Sequence, residues 1–284
     1  MKIAAVLKKF SGSEQFYHCP VCHAPFSLSE SGSFLCPNGH CFDLSSKGYV
    51  HLLPGGAGRD VRYGNTLFSS RSAVFQDGFY EPVALALQEM AMRFMPPQCP
   101  VLLDAGCGEG YYSLFLAQEG TLQVYGVDNA KEAILFAAKK AGNARFAVAD
   151  LASLPIADNA VGILLNVLAP ANYREFTRVL CRGGMILKVI PGEHYLRELR
   201  ACVSGELQHK AYSNDKIIGH MAQHADIADH KSLQYTLPVT QEQLTSFYQM
   251  TPLTSHIPIG NADLSGVKEI TIHLELLAAH PRKR

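Results

Sequence analysis

Two groups of residues in this chain have types and spacings that suit chemistry. The first is Cys19, Cys22, Cys36 and His40, spaced C-x2-C-x13-C-x3-H. Two close pairs of N/S ligands are what tetrahedral Zn²⁺ takes, and four protein ligands leave no open position, so the expected ion is structural. Cys41 is the competing fourth ligand, and His18 and His23 are expected to stand by. The second group is Asp104 followed by Gly106, Gly108 and Gly110, with further acids at Asp128 and Asp150. Each acid ends a short apolar run, which places three carboxylates at the carboxyl ends of strands, where open α/β sheets bind ligands. The glycines let main chain approach a ligand. Their spacing is G-x-G-x-G, with Tyr111 standing where a dinucleotide fingerprint would have its third glycine.

Positioning these groups takes two kinds of scaffold. About sixty residues around the cysteines are too few to bury a core unaided, so metal must supply folding energy there. Gly55-Gly56-Ala57-Gly58 reads as a linker, dividing the chain into 1–58 and 59–284. Beyond it, a helix over 82–95 stopped by Pro96-Pro97 precedes strands 101–103, 123–127, 145–149, 160–167 and 185–190, with helices between most of them. Thr240 and Gln243 have the spacing of a capping box, and 269–278 reads as a closing antiparallel strand. The four histidines of 206–230 are too irregular for a second metal site and are expected in an insertion over the mouth of the sheet. Lys+Arg and Asp+Glu both number 25 in 284 residues, so global charge announces no polyanion partner. Eight cysteines in a chain without a signal-like segment point to metal or free thiols. No run is long and apolar enough for a membrane span, and the chain reads as cytoplasmic.

The run Val101 to Tyr112 resembles motif I of the S-adenosylmethionine-dependent methyltransferases. That resemblance implies an α/β, doubly wound, Rossmann-like class I methyltransferase domain behind an N-terminal zinc-ribbon-like module. It implies that Asp104 receives the cofactor's amino group and that Gly106, Gly108, Gly110 and Tyr111 lie along its methionine and ribose. Asp128 would then take the ribose hydroxyls, and Asp150 with the Leu151 backbone would read the adenine edge.

Phe42-Asp43-Leu44 and residues 47–54 follow the zinc knuckles. Together with Ser70-Arg71 through Pro82 and with Pro191 through Leu199, they resemble the RlmA family of 23S rRNA guanine-N1 methyltransferases. The resemblance implies that Tyr80 and His194 touch the cofactor. On the residues alone, a core tyrosine and a histidine heading a helix are equally admissible. The implied substrate is a guanine in a 23S rRNA hairpin loop, selected by an RNA-recognition module over 1–58 that carries Lys47 and Tyr49, with homodimeric assembly. N1 lies on the Watson–Crick edge, so the base must be unpaired or flipped. Asn166, at the end of the fourth strand, could orient that base or simply cap the strand, and no general base is evident. The alternative is a small-molecule methyltransferase whose zinc module docks a partner protein. Seven Lys/Arg against four Glu over 173–210 favour RNA by a modest excess.

Overall fold

The computed structural model describes residues 3–54, 65–118, 120–140, 142–203, 214–251, 254, 257, 259 and 262–282. The chain begins with α1 (Ile3–Phe10) and a 3-10 turn at Ser13–Gln15, followed by β1 (Ser27–Leu28), β2 (Ser33–Leu35) and β3 (Cys41–Asp43), paired antiparallel in that order. Next come β4 (Tyr49–His51), α2 (Asn65–Gln76), α3 (Glu81–Phe94), β5 (Val101–Ala105), α4 (Tyr111–Leu116), β6 (Gln123–Asp128), α5 (Lys131–Lys139) and β7 (Arg145–Val148). The remainder is β8 (Val161–Val167), α6 (Tyr173–Val179), β9 (Leu180–Pro191), α7 (Arg197–Cys202), α8 (Asp215–His224), β10 (Ala225–Pro238), α9 (Gln241–Met250) and β11 (Glu269–Pro281).

One eight-stranded sheet runs in the order β10-β11-β9-β8-β5-β6-β7-β4. Strands β4 to β9 are mutually parallel, whereas β11 is antiparallel to β9 and to β10. The order reverses direction between β5 and β8, the switch point at which such sheets open a crevice above their carboxyl ends. Local chemistry agrees with these elements. Pro82 sits in the first turn of α3, where a missing N–H costs nothing, and the helix ends at Met95, just before Pro96. The capping box of α9 forms in both directions, from Thr240 to Gln243 and back.

Alternation along β5 divides the interior into two layers. Leu102 faces a core built with Leu87 and Met90 of α3 and Ala137 of α5. Leu103 and Ala105 face the other side, where Tyr125, Val127, Ala147 and Ala149 share a core with Phe10, Phe16, Tyr17 and Phe34 of the first module. No helix is described between β7 and β8, and the zinc-bearing segment covers that part of the sheet. Phe16 stacks on Tyr125 with centroids 3.7 Å apart, the Ala157 amide donates to the Phe16 carbonyl at 2.9 Å, and His18 donates to Pro155 at 3.0 Å. β4 pairs with β7 from Tyr49↔Phe146 to His51↔Val148. The first module is therefore fastened to the sheet by an edge strand and a shared core, before the expected linker at 55–58, which lies outside the described residues.

Two further expectations change. Residues 214–230 form α8 and the first part of a fourteen-residue β10, not an insertion. Of their histidines, His220 and His224 pack on Tyr173, with centroids 5.3 Å from its ring in both cases; His209 lies outside the described residues. The strand expected over 185–190 is longer, β9 running from Leu180 to Pro191.

Candidate cofactor cleft and metal centre

The four expected metal ligands converge. The sulfurs of Cys19, Cys22 and Cys36 and a nitrogen of His40 all lie within 4.8 Å of one another. Sγ of Cys22 is 3.2 Å from Sγ of Cys36, and Nδ1 of His40 is 3.5 to 3.6 Å from the three sulfurs. These separations approach the tetrahedral edge of roughly 3.7 Å that metal–sulfur bonds of about 2.3 Å produce. The knuckle backbone suits thiolates: the Asn38 amide nitrogen donates to Cys36 Sγ at 3.3 Å and its side chain to Cys22 Sγ at 3.3 Å. That side-chain bond is the largest cause of a Cys22 thiol lowered to about 6. Gly39 closes the second knuckle at φ 84°, where any Cβ would be strained. Zn²⁺ fits this donor set.

Of the three strand-terminal acids, Asp104 and Asp128 gather around the glycine turn. Asp104 is 1% exposed and accepts from Ser113 Oγ at 2.6 Å, and burial pushes its carboxyl up to about 7. Asp128 Oδ2 accepts from the Gly108 amide and Oδ1 from the Ala130 amide, both at 2.9 Å, so the carboxylate that ends β6 also clamps the turn. Burial raises its pKa as well. Asp150 caps its own turn by accepting from Ala152 N at 2.8 Å, and Leu151 lies beside Gly106. The turn has no room for larger residues. A Cβ on Gly106 would sit 2.6 Å from that of Ala169, and one on Gly110 would sit 2.7 Å from the Phe146 ring. Main chain thus forms the floor of the cleft, the surface along which an extended ligand can lie. The buried Oε1 of Glu109 and Oη of Tyr112 have no hydrogen-bond partner among the described residues. A cationic, hydroxyl-rich ligand such as S-adenosylmethionine fits these acids and this floor.

Other expected contacts stand further from open space. Tyr80 is 1% exposed and shares a 2.7 Å hydroxyl contact with Tyr195, while Tyr111 stacks on Phe75 at 4.2 Å. Tyr80 is the N-cap of α3 and is buried in the core beneath that helix. His194 follows β9, its amide donating to His273 Nδ1 at 3.0 Å and its ring stacked on that of His273 at 5.4 Å. His273 is held in turn by Glu275 at 3.0 Å and Ser232 at 3.1 Å. Asn166 is fully buried, and its amide is spent on the chain: Nδ2 donates to Ala105 O at 2.7 Å and Pro170 O at 3.2 Å, and Oδ1 accepts from Lys188. It therefore ties the strand end to the following loop, with both Nδ2 hydrogens used within the chain. Lys188 also donates to Ala169 O at 2.9 Å, and burial pushes its ammonium down to about 8.

Glu109, Ser113, Lys188, Tyr195 and His273 were not expected at the site. Glu109 stands inside the glycine motif and could have been flagged there as a carboxylate on a buried turn. His273 is 79 residues from His194, and only the pairing of β11 with β9 brings them together. The basic excess over 173–210 also thins out. Arg178 is used internally by Glu175, Asp158 and two carbonyls, Lys188 is buried, and Lys210 lies outside the described residues.

An eight-stranded sheet of this order, with acids ending its central strands and a glycine floor between them, is that of a class I S-adenosylmethionine-dependent methyltransferase. Residues 102–184 match a family described as methyltransferase domain, and residues 17–57 match the zinc ribbon described as RlmA, N-terminal. The chain is 30% identical over 281 residues to the 23S rRNA (guanine(748)-N(1))-methyltransferase of Streptomyces fradiae, covering 94% of this chain and 97% of that one. It is 32% identical over 279 residues to YxjB of Bacillus subtilis (strain 168), which carries the provisional name of a 23S rRNA (guanine-N(1)-)-methyltransferase, covering 92% and 95%. The chain belongs to the RlmA family of 23S rRNA (guanine-N1)-methyltransferases.

Proposed function

We propose that this chain transfers a methyl group from S-adenosylmethionine to N1 of a guanine in a hairpin loop of 23S rRNA. The observation that carries the reading is the similarity to relatives named for this activity across both the zinc ribbon and the sheet. A small-molecule substrate would leave the first half of that similarity without a reason. When bound, the cofactor supplies an electrophilic methyl group. The chain's part is to hold donor and acceptor in line. Asn166 and Lys188 fix the loop after β8 against Ala105 and Gly106 of the floor, and Leu168 in that loop is 42% exposed in a left-handed conformation at φ 50°. Such strain in a non-glycine residue is a mark of functional loops. No side chain among the described residues is assigned as general base, and the N1 proton is released to water.

Residues 1–58 serve as the RNA-recognition module and 59–284 as the transferase, in a cytoplasmic enzyme that assembles as a homodimer like its family. Exposed Lys47 supports the first assignment, whereas Tyr49 is 7% exposed in the core and is withdrawn as a stacking surface. No helix among the described residues is long and apolar enough to cross a membrane. The test is primer extension on 23S rRNA from a deletion strain. N1 methylation blocks the pairing edge, so a strong stop should vanish on deletion and return on complementation. An unchanged stop pattern would refute the reading.

A further inference from the structure

Arg71, on α2, reaches over the glycine turn with a guanidinium that its own chain leaves underused. Nη1 stands 3.5 Å from Glu109 Oε2, and Nη2 stands 3.4 Å from the Met250 carbonyl. Charged hydrogen bonds of this kind ordinarily close to about 2.7–2.9 Å. The side chain is 27% exposed, so it is neither in open water nor closely paired. Nη1 also lies 3.4 Å from the point where a Cβ on Gly108 would be, directly above the floor. Its charge acts on the carboxyls of Glu109 and Asp128, lowering them against the upward push of their burial.

Glu109 is the second observation. Its carboxylate is 1% exposed, one oxygen faces Arg71, and the other has no partner among the described residues. A buried carboxylate is costly unless a cation is kept beside it. Lys140, the other nearby cation, is engaged with the Glu109 main-chain carbonyl at 3.3 Å. The acids Asp104 and Asp128 suit the ammonium, sulfonium and hydroxyl parts of S-adenosylmethionine, which leaves its one anion, the methionine carboxylate, in need of a donor. We propose that Arg71 binds that carboxylate, with Glu109 beneath it acting as a positioning residue for the guanidinium. The proposal rests on the cofactor reading above and adds to it the residue that recognises the amino-acid end.

The test is calorimetric titration of the full-length, zinc-loaded protein with S-adenosylmethionine and with its decarboxylated analogue, which keeps the sulfonium and the amine. The wild type should prefer the parent by at least tenfold. Arg71→Ala should lose at least tenfold in affinity for the parent and stay within twofold for the analogue, and Arg71→Lys, which keeps charge and bulk, should fall between. Asp128→Ala should weaken both ligands alike, because the ribose is common to them. Equal losses on both ligands in Arg71→Ala and Arg71→Lys, or no loss on either, would overturn the assignment. So would unchanged cofactor affinity with weakened binding of a 23S rRNA hairpin, which would move Arg71 to the RNA. A wild type that binds neither ligand would instead remove the cofactor reading itself.

Discussion

The zinc-bearing segment and the parallel sheet both aim polar side chains at a charged ligand, but they hold them by opposite means. In the sheet, Asp104 is next to last in a strand of five residues and Asp128 ends one of six, and their apolar neighbours are buried on both faces. Their positions are fixed by packing before any ligand arrives. In the first module Cys19 and Cys22 sit on a turn before β1, and Cys36 and His40 on the turn between β2 and β3, in a sheet whose strands are two and three residues long. Such a sheet buries too little to hold four ligand atoms within bonding range without the ion. The contrast predicts that metal loss is catastrophic near the cysteines, whereas ligand loss in the cleft is a local matter. The shared core beneath Phe16 and Tyr17 complicates this, because it joins the metal-dependent part to the sheet.

The largest effect should therefore come from Cys36→Ser. Structural zinc is worth about 10–16 kcal/mol of apparent folding free energy in small modules, far more than that module can lose. Because β4 and Phe16 belong to the sheet as well, the damage should spread to its edge. Hydrogen exchange should accelerate at Tyr49, Val50 and Leu52 and at their partners on β7, while β5, β8 and β9 keep their protection. Metal analysis of the wild type should return one zinc per chain. A variant with wild-type exchange at β4, or a wild type without zinc, would contradict this account. A truncation at residue 58 is a poor substitute for the point variant, since it strips the strand from the sheet edge.

Asp128→Ala should come next, with S-adenosylmethionine affinity reduced at least tenfold in calorimetric titration. Each hydrogen bond to a charged acceptor contributes about 1.5–3 kcal/mol, and this carboxylate, the proposed acceptor of the ribose hydroxyls, also anchors the Gly108 amide. Loss of less than twofold would remove Asp128 from the ribose site. A smaller effect is expected from pH at Asp104. Its value in the folded chain is about 7, against 3.8 ordinarily. The folded state thus binds the proton more tightly, and the stability of the unliganded protein should fall as pH rises from about 4 through 7. A bound ammonium favours the carboxylate, so cofactor affinity should rise over pH 6 to 8 with proton release. Asp104→Asn should flatten that dependence, and a wild type with flat affinity would argue against the contact.

The order in which these effects were legible follows the same contrast. Metal ligands and strand-terminal acids could be read from the sequence because each depends on spacing of a few residues or on one apolar run and its end. The parallel α/β class followed from the alternation of strands and helices, whereas the strand order came only with the assembled sheet. What could not be read was set by long-range pairing. Arg71 comes to Glu109, His273 to His194 and Lys188 to Asn166 only when the sheet is assembled. The cover that the first module gives the sheet was hidden by the glycines at 55–58, which suggested a hinge after a strand already committed to β7. Asn166 was legible as a polar residue at a strand end by the mouth, but its partners Ala105, Pro170 and Lys188 meet it only in the assembled sheet.

The smallest effect separates the two residues that the sequence left in competition for zinc. His40 and Cys41 are adjacent, and either could complete the spacing. The main chain decides between them. Cys41 opens β3, opposite Leu35 in the ladder, and Cys36 accepts no hydrogen from it; instead the Cys36 amide donates to the His40 carbonyl at 2.9 Å. That bond closes the knuckle with the His40 ring turned toward the sulfurs, and the next side chain along the strand points the other way. The Cys41 thiol is accordingly exposed and faces Asp43 Oδ1 at 3.7 Å. Cys41→Ser should leave zinc content at one per chain and thermal stability within about 0.5 kcal/mol, the range of ordinary surface changes. His40→Ala should release the metal to a chromogenic chelator under conditions where the wild type retains it. Retention by His40→Ala together with loss by Cys41→Ser would reverse the assignment and would mean that the knuckle closes one residue later than its hydrogen bonds indicate.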